Sequence, residues 1–121
     1  MALAHLLSED RRPPDALWKK ALVSSRLVEY ELWTRLNARG LGSSHGESAR
    51  RLVERLALLE LVPTVLARAL EPFPSPVRTL DALHLASILF LRERGQAIEL
   101  ASYDSRLIAA ASSLGIGLAA V

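Results

Sequence analysis

The stretch T-L-D-A-L-H-L-A-S-I-L-F-L-R-E-R-G-Q-A-I-E-L-A-S-Y-D-S-R-L, Thr79 to Leu107, decides how the chain is read. Leu80, Leu83, His84, Ser87 and Leu91 recur at helical spacing, so a helix is expected to begin here. Arg92 and Arg94 precede Gly95, a pattern that ends a helix with cations in its last turn. Ala97–Ser102 is short and mostly apolar, as a buried strand is, and a second helix starts after it. Each helix start carries an aspartate, Asp81 on the first and Asp104 on the second. Asp favours helix N-termini as a cap and through the helix dipole. In an open α/β sheet, ligands also bind outside the carboxyl ends of parallel strands. Asp104 falls at such an end. Capping and ligand binding are compatible, and both readings stand for Asp81 and Asp104.

Working outward, the remaining segments repeat the alternation. Residues 2–8 read as a short helix, and Pro13-Pro14 interrupts it before another short helix over Asp15–Lys20. Ala21–Ser24 is a β-prone run. Ser24 or Ser25 then caps a helix to about Ala38, stopped by Gly40. Its apolar positions are Leu27, Val28, Leu32, Trp33 and Leu36. Glu31 shares a side with Leu27, Thr34 and Arg35, which puts it at the rim of the core. Leu41–His45 reads as a Gly- and Ser-rich loop. Glu47 to about Leu59 reads as an amphipathic helix, with Leu52, Leu56 and Leu59 on one side. Glu60–Val62 is then a strand closed by Pro63, Thr64–Leu70 a short helix, and Glu71–Pro76 a proline-rich connector. After the second helix of the deciding stretch, Ser105–Leu114, the residues Gly115–Val121 give a last strand. Strands alternating with helices predict an α/β protein, a mainly parallel sheet covered on both faces, in one domain spanning 1–121.

Composition narrows the function. With 121 residues, half of them hydrophobic, the chain can bury a core of useful size. It has no cysteine, which removes disulfides, thiolate zinc sites and a cysteine nucleophile, and makes the cytoplasm the expected compartment. Charges or prolines break every apolar run before it reaches the length of a membrane span. The net charge of +2 is too small to argue nucleic-acid binding by itself, and six aromatic residues give little to stack bases upon.

Three motifs carry a family resemblance. L-D-A-L-H-L-A at 80–86 and S-Y-D-S-R-L-I-A-A-A-S-S-L-G at 102–115 resemble the two carboxy-terminal signatures of PIN-domain nucleases, a family that includes the VapC toxins of bacterial toxin–antitoxin pairs. S-R-L-V-E-Y-E-L at 25–32 resembles the middle motif, a Ser, a Leu two on and a Glu six on, which selects Glu31 over Glu29. E-D-R at 9–11 matches the loop after the family's first helix. The resemblance implies a three-layer α/β/α sandwich and a Mg²⁺- or Mn²⁺-dependent endoribonuclease. Carried over residue by residue, Glu31, Asp81 and Asp104 are the metal-site acids, and Ser102 orients ligands or water. Hard cations take carboxylate oxygens, which suits this set. A VapB-like antitoxin, an RNA substrate and homodimerisation follow from the resemblance alone. So does one departure. The family opens with a central strand ending in an Asp, and Met1 sits inside the place of that motif. The expectation is a native start about ten residues upstream, a strand of usual length with its Asp. Without that strand, its neighbours Ala21–Ser24 and Ala97–Ser102 are left to close onto each other, to keep a gap, or to take a strand from a partner. The competing reading is a catalytically impaired interaction module.

Overall fold

The computed structural model describes residues 21–119, and the helices expected over 2–8 and Asp15–Lys20 lie outside them. The chain divides into two compact units, with the boundary between Leu59 and Glu60.

In the first unit, strand β1 (Leu22–Ser25) leads into helix α1 (Leu27–Ala38), then α2 (Gly42–Glu54) and strand β2 (Leu56–Leu59). The strands pair in parallel, with Leu22 opposite Leu56 and Ser25 opposite Leu59. Parallel neighbours need a long crossover, and the two helices supply it. Val28, Leu32 and Leu36, one stripe of α1, pack with Ala49 and Leu52 of α2. Leu32, Leu36 and Ala49 are inaccessible to solvent. Gly40 ends α1 at φ +69°, a left-handed conformation that suits glycine.

Two expectations for this unit are corrected. The segment Leu41–His45 is not a loop, because α2 already starts at Gly42. Gly46, inside this helix, is buried, and a Cβ built there would stand 3.1 Å from the Trp33 ring, so the glycine serves close helix packing. The second strand is Leu56–Leu59 and not Glu60–Val62. Leu52, Leu56 and Leu59 do have helical spacing, but the ladder to β1 outweighs that pattern and α2 ends at Glu54.

In the second unit, helix α3 (Pro63–Ala69) starts with Pro63 in its first turn, where the missing N–H costs nothing. The segment with three prolines, 71–76, follows, and then helix α4 (Thr79–Glu93), strand β3 (Glu99–Leu100), helix α5 (Ser105–Ser113) and strand β4 (Gly117–Leu118). β3 and β4 pair in parallel across α5, a βαβ unit. The strands expected over 97–102 and 115–121 are thus cut to two residues each among the described residues. Leu85 and Leu89 of α4 meet Ala110 and Ala111 of α5 and Ile116.

The buried face of α4 lies mostly outside the repeat Leu80, Leu83, His84, Ser87 and Leu91, of which Ser87 alone is buried. Ala82, Leu85, Ala86, Ser87 and Leu89 are buried, whereas Leu80 is 44% exposed. Apolar residues nearly encircle this helix, so its own periodicity leaves the direction of the core open. Packing against α3 and α5 settles it.

All strand pairs among the described residues are parallel, and the protein is of the α/β class. They form two two-stranded ladders, one in each unit. Among the described residues no helix is long and apolar enough to cross a membrane. The end of α5 shows a contact that sequence spacing could not predict. Gly115 turns at φ +73°, and Arg92 of α4 donates from Nη1 to the Leu114 carbonyl at 3.0 Å. Removing that donor in Arg92→Met is expected to lower stability by about 0.5–1 kcal/mol, measured by urea unfolding. An unchanged midpoint would show the contact to be idle.

Candidate metal centre

The acids selected by sequence sit at or near helix starts, for local reasons. Asp104 is the N-cap of α5. Its Oδ1 accepts from the backbone N–H of Arg106 at 2.9 Å and of Leu107 at 3.3 Å. Asp81 is in the first turn of α4, and its Oδ2 accepts from the Arg78 N–H at 3.4 Å. This is half of a capping box: an arginine side chain has no acceptor to complete the other half. Both aspartates therefore do cap, as the first of the two readings holds.

Capping does not exhaust them. Among the described residues, Asp104 Oδ2 and Asp81 Oδ1 accept no hydrogen bond, and neither carboxylate has an ion-pair partner. Each keeps one hard oxygen donor unspent at a helix N-terminus. A carboxylate oxygen is the kind of hard donor that Mg²⁺ or Mn²⁺ takes.

Ser102 reinforces the second of these positions. It is 8% exposed, and its Oγ accepts from the Asp104 N–H at 3.0 Å. The hydroxyl thus fixes the backbone on which the Asp104 carboxylate is mounted.

Glu31 lies in the first unit, one turn into α1, and is half-buried at the edge of the apolar stripe as its spacing predicts. The alternative, Glu29, is committed to Arg26 at 3.3 Å. Two histidines can also be placed. His45 lies in α2 with Nδ1 2.7 Å from Ser44 Oγ. His84 follows Asp81 by one turn and is half-buried.

The second unit holds Asp81, Asp104 and Ser102, and the first holds Glu31. Among the described residues, no group of three or more His, Cys, Asp or Glu side chains is close enough to hold a metal ion. The choice left open by sequence, Ser24 or Ser25 as cap of α1, falls to Ser25. Arg26 already has helical dihedrals, φ −51° and ψ −25°, and Ser25 Oγ accepts from the Leu27 N–H at 3.0 Å.

Comparison with known proteins gives one match. The family model described as PIN domain matches residues 2–114, which runs through both units. No curated protein and no solved structure matches the chain significantly.

Proposed function

The chain belongs to the PIN-domain family, whose members are generally metal-dependent nucleases acting on nucleic acid, and from that premise we propose that it is a VapC-type endoribonuclease, the toxin of a toxin–antitoxin pair. The observation that carries this reading is the pair Asp81 and Asp104, each in family register and each with a carboxylate oxygen left over after capping. Glu31, Asp81 and Asp104 are the residues that hold Mg²⁺ or Mn²⁺, and Ser102 steadies Asp104. The bound cation supplies a water of lowered pKa and offsets charge on the phosphoryl oxygens. The protein's part is to present hard oxygens from fixed helix starts and to hold the RNA phosphodiester against them. The match through both units supports a single domain over 1–121. A cytoplasmic site of action, a homodimer and a VapB-like antitoxin belong to the same reading.

The test is incubation of the purified protein with labelled single-stranded RNA and Mg²⁺ or Mn²⁺. Cleavage that EDTA abolishes is expected. RNA left intact at all metal concentrations overturns the reading. The second reading is an interaction module without catalysis. Mn²⁺ titration separates the two. Saturation in the range of about micromolar to millimolar belongs to the enzyme, and no saturable binding to the module.

A further inference from the structure

Ser25 opens the motif that selects Glu31, yet nothing above gives it a part in the site. It is 3% exposed, the most deeply buried polar side chain among the described residues. Its Oγ accepts from the Leu27 N–H at 3.0 Å, and among the described residues its own O–H has no acceptor. One residue on, the Arg26 N–H donates to the Leu59 carbonyl at 2.9 Å. The strand is thus tied to β2 up to Arg26, and the helix is tied to Ser25 from Leu27. The chain turns from strand to helix within a single residue, between two fixed points.

Glu31 stands four residues beyond Leu27, one helical turn, so its direction is set by this joint. Ser102 makes the same device in the second unit: a buried serine hydroxyl accepts from the N–H two residues on and mounts Asp104. Two acids in two units are each preceded by a serine used in the same way.

We propose that Ser25 is a positioning residue for Glu31, acting through the start of α1, and that its unspent O–H donates to an oxygen of the bound ligand: a metal-held water or a phosphate. The inference rests on the reading of Glu31 as a metal-site acid. Removing the hydroxyl frees the first turn of α1 and takes away that donor. Outer partners of a metal ligand typically carry about 10- to 100-fold in affinity or activity.

The experiment compares the full chain with Ser25→Ala, Ser25→Thr and Glu31→Gln in a Mn²⁺ binding isotherm, and in RNA cleavage with kcat and KM separated. Ser25→Ala is expected to weaken Mn²⁺ by about 10-fold and lower kcat by a similar factor, with KM for RNA within about twofold of the original. Ser25→Thr, which keeps both the acceptor and the O–H, is expected to restore both to within about threefold. Circular dichroism confirms that each variant is folded. If Ser25→Ala folds and binds Mn²⁺ as the parent does while Glu31→Gln does not, the inference about Ser25 is overturned and the site stands. Were Ser25→Ala itself not to fold, Ser25→Thr decides: a folded Thr variant with weakened Mn²⁺ binding and kcat also overturns it. If Glu31→Gln changes neither binding nor cleavage, the site assignment itself falls, and the part given to Ser25 falls with it.

Discussion

Asp81→Asn is expected to leave the chain folded and to lower metal-dependent RNA cleavage by on the order of 100-fold or more, the scale of losing one group that stabilises charge at a reacting centre. The substitution separates the two jobs of this residue. Asparagine keeps a side-chain oxygen that can accept the Arg78 N–H, a long bond at 3.4 Å with little to lose. What disappears is the negative charge. Its interaction with the start of α4 is worth about 0.3–1 kcal/mol, so the thermal midpoint falls by a few degrees at most. A hard cation loses an anionic ligand outright. Asp104→Asn obeys the same logic, since Asn and Asp are equally good N-caps and the bonds from Arg106 and Leu107 survive. Cleavage rates and melting curves should be measured on the same preparations. Activity that survives Asp81→Asn would reduce this aspartate to a cap.

The largest loss of stability is expected from Leu85→Ala. Leu85 is inaccessible to solvent, at the centre of the contact between α4, α5 and Ile116. Truncation removes three carbons and leaves a cavity that neighbours fill only in part, a cost of about 2–5 kcal/mol. Leu80→Ala on the same helix is expected to cost under about 1 kcal/mol, because that side chain is 44% exposed. The pair decides which face of α4 is the core face. Of the repeat Leu80, Leu83, His84, Ser87 and Leu91 only Ser87 is buried, whereas Ala82, Leu85, Ala86 and Leu89 are buried outside it. Equal losses for the two variants in denaturant unfolding would contradict the burial described here.

The same contrast shows what could be read from residues alone. The ends of α1 and α4 were legible because they are local chemistry. Gly40 and Gly95 stop α1 and α4 with φ of +69° and +86°, a conformation that the lack of a Cβ makes cheap. The aspartates were legible for a related reason: an acid just before a helix satisfies orphan N–H groups whatever surrounds it. The strand β2 was not legible. Leu56–Leu59 completes the helical spacing begun at Leu52, and only the partner β1 makes it a strand. Nor was the start of α2, since the Gly- and Ser-rich run Leu41–His45 reads as a loop although the helix begins at Gly42.

By itself, the sequence determined the α/β alternation, the family, the starts of α4 and α5 and the identity of the candidate acids. These rest on near-neighbour physics: dihedral preferences, caps and apolar spacing along one element. Only the tertiary structure decided which face of α4 is buried, where β2 lies, and that Ser25 rather than Ser24 caps α1. Each of those outcomes depends on a residue distant in the chain or on burial, and a hydrogen bond or packing contact made across such a separation outweighs the local pattern that pointed elsewhere.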